Sequence, residues 1–162
     1  MKRAQTTCFG LAFGLLMLVP ATETVEASTF VRRSPCHRVF VSSPEAARTR
    51  RRKPKFSAAE IMDIQFKTLV SRRLTGQHSL ELKVYTPKGN LYQSMTFQFD
   101  ADAPIPEDAQ RRSRRFQEVK AILPVAGTSI VTSSMYGIWR VEAFLDGANQ
   151  RCSRPRKFVI DP

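Results

Sequence analysis

Hydrophobic and polar residues alternate in short runs between Ile61 and Ile160, as they do in half-buried β-strands. The six clear runs are Ile61–Val70, Leu80–Val84, Leu91–Phe99, Val119–Leu123, Trp139–Leu145 and Phe158–Ile160, with a weaker seventh at Ser129–Thr132. Turn residues such as Pro87 and Gly89 separate them, and no long amphipathic helix intervenes. The pattern predicts an all-β fold: a single antiparallel β-sandwich of about seven strands.

Two details of this pattern predict which side chains form the core. In the first run, Met62, Ile64, Phe66 and Val70 alternate with polar residues and Leu69, so the former set is expected to face inward. Trp139 is expected between the two sheets. Its expected neighbours are Leu82, Val84, Phe97, Val141 and Phe158.

The first 27 residues have the three parts of a secretory signal peptide. Lys2 and Arg3 precede an apolar run from Phe9 to Val19, and small residues lead to a cleavage site after Ala27. The apolar run is shorter than the roughly 20 residues that a transmembrane helix needs, although a retained N-terminal anchor is the alternative. We therefore expect an exported protein, periplasmic or secreted, with no transmembrane segment after cleavage.

Residues 28–57 carry nine Lys or Arg and one acid, Glu45, and they account for most of the net charge of +12. They lack a sustained apolar period, which predicts a basic, disordered linker before a domain at residues 58–162. Only a few apolar residues, such as Val39, Phe40 and Val41, are able to dock there as an edge strand. A second interpretation is that residues 28–57 are a transit peptide of a plastid-targeted protein, because they are rich in Arg and Ser and poor in acids.

Cys36 and Cys152 are the cysteines that remain after removal of residues 1–27. In an exported protein they form either one disulfide across a long loop or two free thiols, and the sequence leaves both alternatives open.

The stretch from His78 to Ile160 resembles immunoglobulin-like domains of uncharacterised exported bacterial proteins. The matching positions are Leu80-x-Leu82-x-Val84-x-x-Pro87-x-Gly89-x-Leu91-Tyr92, Leu123-Pro124-Val125-Ala126-Gly127-Thr128, Gly137-x-Trp139-x-Val141, Asp146-Gly147 and Phe158-x-Ile160. The resemblance covers about half of the chain and implies an immunoglobulin-like β-sandwich and an extracytoplasmic location. It implies no catalytic site.

No residue pattern predicts catalysis, a cofactor or a metal site. His37 and His78 are the only histidines, and neither stands at a metal-ligand spacing from another ligand residue. Cys36 and His37 are adjacent, but a nucleophile and its base need opposed side chains in a shaped pocket. We expect a non-enzymatic binding or structural module.

Two arginine-rich clusters are the candidate binding residues. They comprise Arg50, Arg51, Arg52 and Lys53, and then Arg111, Arg112, Arg114 and Arg115. Such clusters suit electrostatic contact with an anionic envelope polymer, although a solvated linker has the same composition. A protein partner is the other expectation. Specific nucleic-acid binding is not expected, because no aromatic residues are interleaved for base stacking.

Overall fold

A computed structural model of the 162-residue chain describes residues 34–45, 53–105 and 114–162. The elements in these ranges are β1 (Cys36–Ser42), β2 (Lys55–Ser57), β3 (Asp63–Ser71), β4 (Gln77–Tyr85), β5 (Leu91–Asp100), β6 (Phe116–Pro124), α1 (Ser129–Thr132), β7 (Gly137–Leu145) and β8 (Arg156–Asp161). The predicted signal peptide at residues 1–27 lies outside the described residues.

The strands form two sheets that share one core. The first sheet has the order β1-β3-β6, and the second has the order β2-β8-β7-β4-β5. Phe66 of the first sheet and Phe158 of the second have ring centroids 5.7 Å apart, so the sheets meet face to face. The predicted all-β, two-layer architecture is confirmed.

The clearest alternating runs form the centre of the second sheet. Leu80, Leu82 and Val84 of β4 are fully buried, and Val141 and Ala143 lie opposite the last two of them on β7. Period-two alternation predicted these positions because a strand that covers a core on one side turns every second side chain inward. The inward sets predicted for β6 and β8 are also buried.

Trp139 is completely buried, and its predicted place in the core is confirmed. Its ring stacks near Phe158 at 6.3 Å and meets the edge of Tyr92 at 5.2 Å. The indole N–H donates to the carbonyl oxygen of Met135 at 2.9 Å, so burial leaves no polar atom of this side chain without a partner.

The prediction of a wholly antiparallel sandwich is wrong at one edge. β2 pairs with β8 in parallel, from Lys55 opposite Val159 to Ser57 opposite Asp161. The other pairings are antiparallel, so the second sheet is mixed. The parallel register carries the Phe56 side chain into the core beside the last strand, where it is 3% exposed.

The predicted linker at residues 28–57 contains two strands, so that prediction is wrong at residues 36–42 and 55–57. β1 pairs with β3 as an edge strand, and Val39 and Val41 are buried against the core. Two inward valines and Phe56 bury enough apolar surface to order these short segments despite the surrounding arginines. The sandwich therefore begins before Ala58, and residues 28–33 and 46–52 lie outside the described residues.

The predicted weak strand at Ser129–Thr132 is the single-turn helix α1. Thr128 is its N-cap: the Thr128 hydroxyl accepts a hydrogen bond from the Ile130 N–H at 3.3 Å. Capping by Thr128 and burial of Ile130 prevail over the β-propensity of Ile130 and Val131.

Four side chains do not follow the predicted faces. Met62 is 62% exposed because it precedes the first paired residue of β3, whereas Leu69 is fully buried although it belongs to the opposite face from Val70. On β7, Glu142 and Phe144 are buried together with the inward set. Strict alternation fails at Leu69, Glu142 and Phe144 because the strand is buried on both faces at these positions.

Candidate functional site

The loops at one end of the sandwich bring together residues that are far apart in the sequence. Ser71 at the end of β3 lies opposite Phe116 at the start of β6, and Gln77 at the start of β4 lies opposite Asp100 at the end of β5. Leu145, the last residue of β7, lies opposite Leu80. The loops after β3, after β5 and after β7 therefore share this end.

A disulfide between Cys36 and Cys152 holds this end together. It joins the start of β1 in the first sheet to the loop between β7 and β8 of the second, and both cysteines are buried. The Cys36 N–H donates to the Cys152 carbonyl at 3.3 Å, and the Ser34 hydroxyl donates to the carbonyl oxygens of both cysteines. Because Cys36 is oxidised, it carries no free thiol next to His37.

Six arginines occupy the described loops at this end, which we call the arginine end. They are Arg72, Arg73, Arg114, Arg115, Arg151 and Arg154. Arg72 has a structural role, since its Nη1 donates to the Ala103 carbonyl at 2.7 Å and its backbone N–H donates to the Arg115 carbonyl at 3.1 Å.

Four of these arginines are exposed and form no salt bridge with another described residue. This set, which we call the unpaired arginine set, is Arg73, Arg114, Arg115 and Arg154. An exposed guanidinium keeps its five N–H donors available to a carboxylate, sulfate or phosphate group.

The carboxylates in these loops accept hydrogen bonds that stabilise turns. Asp102 accepts from the Gly76 N–H at 2.7 Å, and Asp100 accepts from the Asp102 N–H at 2.9 Å. Asp146 contacts Nδ1 of His78 at 2.8 Å and accepts from the Ser79 N–H at 2.8 Å. None of these acids forms a salt bridge with the unpaired arginine set among the described residues.

A shallow depression of about 660 Å³ lies beside the disulfide. Its lining residues are Ser34, Glu142, Phe144, Asn149, Gln150, Arg151, Ser153, Arg154 and Pro155. Arg151 and Arg154 supply positive charge, the amides of Asn149 and Gln150 supply donors and acceptors, and the buried Ser153 hydroxyl has no hydrogen-bond partner among the described residues. The depression is therefore open and lined by polar and apolar groups in similar measure, with two arginines and one carboxylate.

Glu142 fixes one of the arginines in this depression. Its side chain is only 7% exposed, and Oε1 accepts from Nη1 of Arg151 at 2.8 Å and lies 3.4 Å from Nε of Arg140. A buried carboxylate is costly unless it is paired, which explains why two guanidinium groups converge on it. The pairing holds Arg151 by one edge and leaves its other N–H groups for solvent or a ligand.

Positive charges are also close together beneath the arginine end. Burial and, to a smaller extent, the charge of Arg38 lower the pKa of Arg156 from its usual value. Arg38 lies on β1 and Arg156 begins β8, so each sheet contributes one of these guanidinium groups. This closeness adds to the positive potential near Cys152.

The structure separates the candidate binding residues of the sequence. Arg114 and Arg115 are exposed at the arginine end, whereas Lys53 is exposed at the edge of the second sheet, just before β2, which runs away from the arginine end beside β8. The remaining candidates, Arg50, Arg51, Arg52, Arg111 and Arg112, lie outside the described residues.

The sequence reasoning missed Arg151, Arg154 and Glu142. The available signal was the set of three arginines around the second cysteine, Arg151-Cys152-Ser153-Arg154-Pro155-Arg156. The pairing of Cys152 with Cys36 turns this short run into part of a surface that also contains Arg114 and Arg115. Glu142 gave no signal, because alternation placed it on a solvent face.

Within the described ranges, no three His, Cys, Asp or Glu side chains are grouped in a way that would hold a metal ion. In the same ranges, no helix has the length and apolar character required to cross a membrane.

No known protein-family profile matches the chain, and no curated protein sequence matches it. Solved structures show distant similarity. A glycosyl hydrolase family 2 member from Bacteroides cellulosilyticus has a TM-score of 0.45 and 13% identity, over 79% of this chain and 14% of that one. The alkylpurine DNA glycosylase AlkC of Pseudomonas fluorescens, bound to DNA with an abasic site analog, has a TM-score of 0.42 and 10% identity, over 78% and 30% of the two chains.

A CARDB domain from Pyrococcus furiosus, solved with di-metal ions, has a TM-score of 0.38 and 8% identity, over 76% of this chain and 85% of that one. The chain spans a small part of the first two proteins. At these TM-scores and identities, none of the similarities carries an argument about activity or ligands.

Proposed function

We propose that this chain is an exported, non-enzymatic binding module of immunoglobulin-like type, and that its arginine end binds an anionic polysaccharide. The observation that supports the proposal is the unpaired arginine set at the end of the sandwich where the buried disulfide joins the two sheets, with Arg154 of this set lining a depression beside that disulfide. Guanidinium groups contact carboxylate or sulfate groups in a planar, two-point geometry, so repeated acidic groups along a polymer suit several arginines on one surface.

Two features support the non-enzymatic and exported parts of the proposal. Cys36 is oxidised and so carries no free thiol, and Asp102 and Asp146 each accept a backbone hydrogen bond that holds a turn. Disulfides persist in oxidising compartments such as the periplasm or the extracellular space. The alternative of a plastid transit peptide at residues 28–57 stays a prediction.

The test compares heparin binding by the full chain and by two variants that lose the same charge. One variant changes the unpaired arginine set to Gln. The control changes four exposed lysines outside the arginine end to Gln: Lys53, Lys88, Lys120 and Lys157. Four exposed charge contacts at about 0.5 kcal/mol each predict that the first variant binds about thirtyfold more weakly at 0.1 M salt. The control should stay within about twofold of the unchanged chain.

Salt concentration separates electrostatic binding from other modes. The screening length falls from about 10 Å at 0.1 M to about 3 Å at 1 M ionic strength, so binding should be lost across this range. Equal binding by both variants, or binding that survives 1 M salt, would refute the proposal. Binding to vesicles with anionic headgroups but not to heparin would instead indicate a lipid surface and would also contradict it.

A further inference from the structure

The two sheets have four edge strands, and an edge strand carries backbone N–H and C=O groups that are able to pair with another chain. Proteins protect such edges with short strands, charged side chains, proline or β-bulges. The four edges of this sandwich, β1, β6, β2 and β5, differ in whether they carry these features.

Three of the edges are protected. β1 carries Arg38 next to an irregularity in its pairing with β3. β2 is only three residues long, begins with Lys55 and follows Pro54. β6 carries Glu118 and Lys120 and ends at Pro124.

β5 is the unprotected edge. It is ten residues long and contains no proline, and its one charged residue, Asp100, is the last. Val84 lies opposite Gln93 and Tyr85 lies opposite Leu91, so the bulge in this pairing is confined to the start of the strand. Gln93 to Phe99 is a regular, uncharged edge that pairs, among the described residues, with β4 alone.

The side chains of this edge are arranged in two uncharged rows. Ser94, Thr96 and Gln98 are exposed on the outer face of the sheet. Met95 and Phe97 are half-buried and pack against the rim of the core. An additional strand beside β5 would cover the remaining surface of both apolar residues.

We propose that β5 pairs in antiparallel fashion with β5 of a second copy of this chain, which joins the two five-stranded sheets into one. A two-fold axis at Thr96 brings Met95 of each copy opposite Phe97 of the other, and Ser94 opposite Gln98. On the inner face Met95 and Phe97 then meet at the centre, with Gln93 opposite Phe99 on either side. Polar side chains meet polar ones on the outer face, and no like charges are opposed.

The proposed dimer has a consequence for the arginine end, although it does not depend on the proposed function. Asp100 at the end of β5 lies at the arginine end, and the antiparallel arrangement reverses the second copy. The dimer would therefore present its two arginine ends in opposite directions.

Sedimentation equilibrium of the full chain tests this proposal. The unchanged chain should have twice its 18.4 kDa mass, whereas Thr96→Lys, which opposes two like charges at the axis, should have the single-chain mass. The matched control is Ile122→Lys, an exposed outward residue on the protected edge strand β6, and it should remain dimeric. An equimolar mixture of Thr96→Lys and Thr96→Glu should recover the dimer.

Circular dichroism melting establishes that each variant is folded, and Gln98→Lys replaces Thr96→Lys if the latter does not fold. A single-chain mass for the unchanged protein at 0.1 mM would overturn the proposal. So would a dimeric Thr96→Lys variant, a monomeric Ile122→Lys control, or a charge-swapped mixture that stays monomeric.

Discussion

Removal of the Cys36–Cys152 disulfide should cause a large loss of stability that can be estimated from the chain it closes. The two cysteines are 116 positions apart. For a loop of this length, the chain-entropy relation gives a lost entropy of about 16 cal/mol/K, which corresponds to about 5 kcal/mol at 25 °C. Since small domains have unfolding free energies of about 5–15 kcal/mol, the double variant Cys36→Ala/Cys152→Ala should be close to unfolding at 37 °C.

Urea unfolding followed by the fluorescence of Trp139, the single tryptophan, measures this loss. The matched control is Ser42→Ala, a small change at an exposed position at the end of β1, which leaves the disulfide intact. We expect the double variant to lose about 3–5 kcal/mol and the control to match the unchanged chain under non-reducing conditions. A loss below about 1 kcal/mol in the double variant would show that the disulfide does not anchor the arginine end as described.

Two further predictions concern the core and one turn. Trp139→Ala should lower the free energy of unfolding by about 3–5 kcal/mol, as measured by circular dichroism in urea, while Ile138→Ala, at a 50% exposed neighbour, should cost less than about 1 kcal/mol. An unchanged midpoint for Trp139→Ala would contradict its core position. Gly137 and Gly76 both have positive φ, but only at Gly137 would a β-carbon approach a neighbouring proline ring at 3.3 Å. Gly137→Ala should therefore cost about 1 kcal/mol more than Gly76→Ala, and equal melting shifts would refute the steric argument.

The central strands could be predicted because their side chains carry the information locally. Leu82 and Val141 alternate with charged neighbours. A strand with this alternation is stable when its apolar face is buried and its charged face is exposed to solvent. Trp139 followed from the same argument. The burial of these side chains follows from the alternation within their own strand. It could therefore be predicted without knowing which strand lies beside it.

The edge strands could not be predicted in the same way. β1 buries three side chains, Cys36, Val39 and Val41, and β2 buries only Phe56, so the arginines nearby hide the pattern. Pairing with β3 and β8 makes these segments ordered, and pairing is a property of the whole fold. The strand predicted at Ser129–Thr132 was wrong for a different reason. The Thr128 side chain caps the first turn of a helix there, and β-propensity takes no account of such a hydrogen bond.

The candidate site was predictable only in part. Arg114 and Arg115 were identified from their clustering, but their distance from Lys53 depends on the direction of each strand. Arg154 lies more than thirty positions from Arg115 in sequence, and the two share an end of the sandwich because β6 and β7 run between their loops. The composition indicated a cationic surface. The strand topology determines which arginine and lysine side chains form it.

Amide chemical-shift changes during titration of the full chain with a heparin oligosaccharide locate the bound polymer on the structure, and they therefore test whether the arginine end is the binding surface. We expect the largest changes in residues 72–76, 114–116 and 146–155 of the arginine end, and we expect 1 M salt to reverse them. We expect negligible changes in the loops at the opposite end, residues 86–90 and 124–136. Changes concentrated at that opposite end, or spread evenly over the outer faces of both sheets, would contradict the proposed binding surface.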